Sequence, residues 1–249
     1  MTNIPIAIQL YTLREETKKD FAGTLQRVAE IGFDGVEFAG FEGLSAQEVK
    51  KLLDRNNLKA ASSHISLEEL KNNLTQVIND QKIIGSKYVV CPYLAEDQRS
   101  EEDYQSLISF LDETGEKLKA EGITLCYHNH DFELQKLQDG RTALESIFND
   151  TNAENLHTEL DVYWLTKVEE DPIEWLNRYK GRTPLVHLKD MTTDDEKFFA
   201  ELGTGGVEID AILELGNELN VEWWIVEQDV CRRPVFESIE RSFNYLKRK

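Results

Sequence analysis

The chain has 249 residues, 40% of them hydrophobic, with 47 acidic against 28 basic side chains and a formal net charge of -19. That is enough apolar material for one α/β barrel or for two smaller domains. A surface this negative repels nucleic-acid phosphates and anionic lipid, which sets nucleic-acid and membrane-surface functions aside.

Residues 4–10 read as a buried strand. Residues 20–31 follow as a helix, with Phe21, Leu25, Val28, Ala29 and Ile31 at helical spacing and Gly32 after the last turn. Residues 35–38 are the second strand. Ser45 with Glu48 three positions on forms a capping box opening the helix 45–56, and residues 58–63 are the third strand. Ser66 and Glu69 form a second capping box before a helix over 67–84, which Gly85 closes ahead of a strand at 87–91. A long helix over 103–121 ends at Gly122 and leads to strand 123–128. Helix 142–149 precedes strand 156–160. Pro172 opens helix 172–179, a common first-turn use of proline, and strand 185–188 follows. Helix 209–219, strand 221–226 and helix 234–247 complete the chain.

Eight strands thus alternate with roughly eight helices. Three helix-to-strand joints repeat one phrase: Glu30–Ile31–Gly32–Phe33–Asp34, Ile83–Ile84–Gly85–Ser86–Lys87 and Lys119–Ala120–Glu121–Gly122–Ile123. Parallel strands need crossover helices because their ends lie far apart. A count of eight predicts a closed TIM (β/α)8 barrel of the α/β class, one domain over residues 1–249. An open doubly wound sheet is the competing architecture, but no GxGxxG follows the first strand. No linker rich in Pro, Gly or Ser divides the chain.

In such a barrel the C-terminal strand ends and the loops after them build the site. Those ends carry Gln9 and Tyr11, Glu37, His64, Cys91 and Tyr93, His128 and His130, Asp161 and Trp164, His187 and Lys189, then Glu227 and Asp229. Four of the five histidines lie there; His157 sits at the opposite end of its strand. For a single histidine the plain alternative is a structural hydrogen bond, and for Glu37 an ion pair. Asp161 and Glu227 stand at the rim of a packed interior, where an unpaired charge is costly and a metal or a paired base offsets the cost. Histidine, aspartate and glutamate converging on one pocket suit a divalent ion.

Other features are bland. Gly203–Thr204–Gly205–Gly206 lacks the lysine and hydroxyl of a phosphate loop and reads as structural. Trp223 and Trp224 lie in one strand, so alternation sends one ring into the barrel and the other toward a helix. Cys91, Cys126 and Cys231 show no CxxC spacing and read as buried free thiols in a reducing compartment. No window reaches the length of a membrane span, and the N-terminus lacks a basic region and a long apolar run, so a cytoplasmic protein is expected.

Seven stretches together give a family likeness: Gly35–Val36–Glu37–Phe38, Ser62–Ser63–His64, Tyr127–His128–Asn129–His130–Asp131–Phe132–Glu133, Glu159–Leu160–Asp161–Val162–Tyr163–Trp164, His187–Leu188–Lys189–Asp190, Glu201–Leu202–Gly203–Thr204–Gly205 and Val226–Glu227–Gln228–Asp229. In this order the chain resembles the xylose isomerase-like barrels, the sugar phosphate isomerase/epimerase family. The resemblance implies a divalent ion, often manganese, with zinc, cobalt or magnesium as alternatives. It is held by a carboxylate after strand five, an aspartate after strand six, a histidine after strand seven and a glutamate after strand eight. Asp161, His187 and Glu227 match. The strand-five position departs: many relatives read Glu–Asn–His where this chain reads His128–Asn129–His130, so His128 replaces the carboxylate. Glu133 is a substitute if its loop folds back.

The resemblance also implies roles around the ion. His64 and His130 would donate to sugar hydroxyls, and Lys189 would neutralise an enolate oxygen. Glu227 or Glu37 would act as base, and Trp164, Tyr11 and Tyr93 would contact substrate. The expected reaction is isomerisation or epimerisation of a keto sugar or polyol through an enediolate. The Tyr–His–Asn–His run is similar to that of inosose dehydratase-like members, so β-elimination by a dehydratase or lyase is the close alternative. A non-catalytic sugar-binding barrel is a further one, motivated by His128. The implied partners are a small sugar or polyol and, since barrels of this kind often pair, a second copy in a homodimer; no nucleic acid or membrane partner is expected.

Overall fold

Consecutive parallel strands hydrogen-bond into a closed ring in this computed structural model, which describes residues 4–249. The first seven strands are β1 (Ile6–Gln9), β2 (Gly35–Phe38), β3 (Lys59–His64), β4 (Tyr88–Cys91), β5 (Thr124–His128), β6 (Leu156–Asp161) and β7 (Leu185–Leu188). A short antiparallel ribbon, β8 (Asp190–Met191) with β9 (Phe199–Ala200), leaves the barrel before the last strand, β10 (Trp223–Val226). The ring runs β1-β10-β7-β6-β5-β4-β3-β2, as the alternation of strand and helix predicts.

Alternation along each strand separates two cores. Ala7, Ala61, Tyr88, Val90, Cys126, Leu185, Trp223 and Ile225 form a cluster drawn entirely from strands, the packed barrel interior. The next residues of the same parity, moving toward the C-terminal ends, are Gln9, His128, His187 and Glu227. The interior is therefore a mainly apolar floor with a polar layer on top. Trp223 faces this interior while Trp224 joins the outer core, packing against Gly216 of a surrounding helix.

Eleven α-helices surround the ring among the described residues: α1 (Arg14–Lys19), α2 (Phe21–Ile31), α3 (Ala46–Asn56), α4 (Leu67–Asn72), α5 (Leu74–Ile84), α6 (Glu101–Ala120), α7 (Ala143–Asn149), α8 (Val162–Lys167), α9 (Pro172–Arg178), α10 (Ile209–Leu219) and α11 (Val235–Leu246). Three differences from the sequence reading stand out. The helix expected over 67–84 is two helices, broken where Asn73 leaves helical geometry at φ -133°. Two short helices at the barrel mouth, α1 and α8, add to the expected set. Ser66 caps α4 by accepting from Glu69 N, but the reciprocal half of that capping box does not form, whereas both halves form at Ser45 and Glu48. Gly32 and Gly85 end their helices in the left-handed region, at φ 113° and 81°, as expected.

Cys91 and Cys126 are buried free thiols, while Cys231 is only half-buried. Among the described residues no helix is long and apolar enough to cross a membrane.

Candidate active site

Strand register brings the polar ends together. Gln9 lies beside Glu37 across β1 and β2, and Asp161 beside His187 across β6 and β7. Two overlapping groups at this mouth are suited to a divalent ion. His128, Asp161, His187 and Glu227 form an outer one; His64, His128, Glu159 and His187 form an inner one. In each group the donor atoms lie within 4.8 Å of one another.

His187 is the hub. Its Nδ1 is 2.9 Å from Glu227 Oε2 and its Nε2 is 2.6 Å from Glu37 Oε2. Burial opposes a charge on this imidazole, but Glu159 and Glu37 override it and hold its pKa well above the ordinary value. His64 Nε2 sits 2.7 Å from Glu159 Oε2 and 3.2 Å from Glu37 Oε2. Burial again opposes charge, and Glu37 and Glu159 lift this ring to about 10. His128 behaves oppositely: burial, with His187 and His130 nearby, depresses it well below the ordinary value. Its Nδ1 lies 3.1 Å from Glu159 Oε2 and its Nε2 3.7 Å from Asp161 Oδ2.

Asp161 does two jobs. Its Oδ1 accepts from Tyr163 N at 2.9 Å and Trp164 N at 3.3 Å, capping α8. Its Oδ2 is buried and receives no aligned hydrogen bond. The nearest cation to it is Lys189 Nζ, 2.9 Å away, which also reaches Glu227 Oε2 at 2.6 Å and Asp229 Oδ2 at 2.8 Å. Burial raises the Asp161 carboxyl to about 6 against the pull of Lys189 and His187. Glu227 is held low despite burial, because Lys189 and His187 favour its charged form. A buried carboxylate oxygen that meets the Lys189 ammonium, set among two imidazoles and a second carboxylate, fits a divalent ion through nitrogen and oxygen.

Glu37 lies beneath the site with no exposed surface, accepting from Gln9 Nε2 at 2.6 Å and Ser62 Oγ at 2.5 Å. Burial pushes its carboxyl up, but His64 and His187 outweigh this and hold it well below the ordinary range. Glu133 does not turn toward the metal-suited groups. It accepts from Tyr127 OH and from His130 N, both at 2.8 Å, and so fixes the loop after β5.

Above these groups opens a cavity of about 760 Å³ lined by Tyr11, Tyr93, His64, His128, His130, Glu227 and Asp229, among others. Glu37, Glu159, Asp161, His187 and Lys189 do not line it. Tyr11 and Tyr93 are half-exposed at the rim, as their positions after β1 and β4 suggest. Trp164 does not line the cavity. It packs 5.3 Å from His130, with Lys167 Nζ 4.3 Å from its ring centre.

Glu159 was not singled out in the sequence, although it lies two residues before Asp161 on β6. The alternation that turns Asp161 inward turns Glu159 inward too, and that was the available signal. The Gly203–Gly206 loop proves structural: Asp190 accepts from the backbone N–H groups of Gly203, Gly205 and Val207 at 2.9–3.0 Å.

A family model described as xylose isomerase-like TIM barrel matches residues 25–249. The chain is similar to inosose dehydratase of Clostridium beijerinckii, 24% identical over 92% of this chain and 89% of that protein. It is also similar to the crystal structure of a sugar phosphate isomerase/epimerase from Parabacteroides distasonis, with 24% identity, 99% of this chain and 94% of that one covered, and a TM-score of 0.85. A probable 3-DHS dehydratase of Bacillus anthracis shares the fold at 11% identity and a TM-score of 0.77, over 98% of this chain and 99% of that one.

Proposed function

Because the chain belongs to the xylose isomerase-like TIM barrel family, we propose that it is a divalent-metal-dependent enzyme that removes the proton beside the carbonyl of a keto sugar or keto polyol. The observation that carries this reading is the convergence of His128, Asp161, His187 and Glu227 beneath an open cavity that His128 and Glu227 line. Bound there, a divalent ion supplies Lewis acidity that lowers the cost of charge on the carbonyl oxygen.

The chain's own groups supply the proton transfers. Glu227 alone among the carboxylates of the two metal-suited groups lines the cavity, so it is the base that takes the proton. Lys189 holds its ammonium against Glu227 and Asp161 and keeps both ionised and in place. His64 lines the same cavity and carries a proton, which it donates to oxygen as charge develops. His130 lines the cavity and is placed to meet a substrate hydroxyl. Tyr11 and Tyr93 cover the sugar's apolar face at the rim.

The resulting enediolate has two fates. Isomerisation or epimerisation returns the proton to another carbon or face, which calls for a second acid–base group of similar strength. Elimination expels a β-hydroxyl and needs one base and one proton donor. With His128 standing where a carboxylate is expected, Glu227 and His64 make that unequal pair, and this favours elimination. The similarity to inosose dehydratase supports a cyclic keto polyol as substrate.

Proton NMR in D2O with the manganese-loaded protein tests both parts across a panel of keto sugars and inososes. Loss of the α-proton signal with appearance of a dehydrated product supports the reading. Deuterium exchange with only an epimer or isomer would shift the assignment to isomerase/epimerase. Neither exchange nor product, with binding retained, would favour a binding protein.

A further inference from the structure

The two metal-suited groups differ in how their charge is already met. In the outer one, Lys189 Nζ lies 2.9 Å from Asp161 Oδ2 and 2.6 Å from Glu227 Oε2. The inner carboxylates, Glu37 and Glu159, have no exposed surface. Among the described residues neither has a lysine or arginine at ion-pair distance; imidazoles reach both, and Glu37 also accepts from Gln9 and Ser62. Glu159 Oε1 is buried with no partner at all. Glu159 therefore has no lysine or arginine of its own and keeps one oxygen orphaned in the barrel, an arrangement that a bound cation satisfies.

The donor geometry suits such a cation. His64 Nε2, His128 Nδ1 and His187 Nε2 converge on Glu159 Oε2 at 2.7, 3.1 and 3.3 Å. A tetrahedral shell with bonds of about 2.0–2.1 Å sets its ligand atoms roughly 3.3 Å apart. Small outward shifts of these side chains therefore admit an ion.

Resting on the metal-dependent reading above, we infer that His64, His128, Glu159 and His187 form a second position for the divalent ion, centred on Glu159, which is filled in the substrate-free chain while Lys189 neutralises the outer carboxylates. With the ion there His64 is a ligand, and it serves as proton donor only when the ion lies in the outer group. Three imidazoles and one carboxylate select zinc, cobalt or ferrous iron over magnesium, whereas the outer set with its two carboxylates also accepts manganese. His128 and His187 turn one ring nitrogen toward each set. A neutral imidazole has a single nitrogen lone pair to give, so the two sets are alternative positions for one ion and not a dinuclear centre.

The test is zinc affinity of the metal-stripped full chain, measured by competition with a chromophoric chelator, together with the visible spectrum of the cobalt form. Glu159→Gln and His64→Gln should each weaken zinc binding by at least about 10-fold and alter the cobalt bands, while Asp161→Asn should leave affinity within about 3-fold and the bands unchanged. Circular dichroism melts establish that each variant is folded; His64 is partly exposed, so its substitution leaves the packed interior intact. A large loss in Asp161→Asn with none in Glu159→Gln and His64→Gln would overturn the inner site and leave the metal-dependent reading standing. A wild-type chain that binds no ion would sink both.

Discussion

Lys189 places its ammonium 2.6 Å from Glu227 Oε2, inside the group of side chains suited to a metal. A fully buried lysine there acts as a built-in counterion for Asp161, Glu227 and Asp229. Removing it leaves buried charges unpaired, which costs several kcal/mol. Lys189→Met should therefore destabilise the metal-free chain by about 3–5 kcal/mol in urea denaturation. Saturating manganese should restore more stability to this variant than it adds to the wild type, because the ion binds only the folded state. Equal midpoints with and without the substitution would show that the lysine carries no such charge balance.

Glu227 is the carboxylate with access to substrate. Glu227→Gln keeps the shape and removes the base, so the rate of α-proton exchange should fall by about 10²- to 10⁴-fold. Substrate affinity, followed by calorimetry, should change far less. Unchanged exchange would move the base elsewhere in the cavity.

The buried imidazoles give the metal-free chain an alkaline weakness. His64 rises from 6.5 to about 10 on folding, against burial, through Glu37 and Glu159. A raised value stabilises below the unfolded pKa and is lost as pH climbs through the folded one. Glu159, pushed by burial and by Glu37 from 4.5 to about 8, acts in the same sense. The urea midpoint of chelator-treated protein should drop between pH 6.5 and 10 and drop less in His64→Gln. Glu37 and Glu227 are depressed, so their contribution is lost only toward acid pH. A midpoint that holds or rises to pH 10 would contradict this assignment.

Asp190 organises the loop ahead of α10. Its carboxylate accepts from four backbone N–H groups, those of Met191, Gly203, Gly205 and Val207, at 2.8–3.0 Å. A Cβ on Gly205 would lie 2.2 Å from Met191 O and 2.4 Å from Asp190 Oδ1, so the loop closes only on glycine. Gly205→Ala should lower stability by about 2–4 kcal/mol, and Asp190→Ala by a comparable amount. Denaturation midpoints within error of wild type would mean the loop tolerates rearrangement.

The barrel was legible because its signals are local. Eight apolar runs of strand length, the capping box at Ser45, and glycines after α2 and α5 each act over a few residues. The break at Asn73 was not legible, since the apolar periodicity of residues 67–84 continues across it and asparagine is only mildly unfavourable in a helix. Asp161, His187 and Glu227 stood out by standing at strand ends. Glu159 did not, because it lies inside its strand, and its partner His64 is 95 residues away in sequence and is reached only by closing the ring. Helix α8 was missed for a related reason: Asp161 reads as a ligand, and nothing local says that its other oxygen caps a helix.

His187 belongs to both the outer and the inner group, so it tests the metal centre whichever position the ion takes. Elemental analysis of chelator-free wild type and His187→Ala is the most direct measurement. The account predicts close to one divalent ion per wild-type chain and essentially none in the variant. A wild-type chain without metal that gains neither stability nor activity on adding manganese or zinc, or a His187→Ala variant with undiminished occupancy, would contradict it.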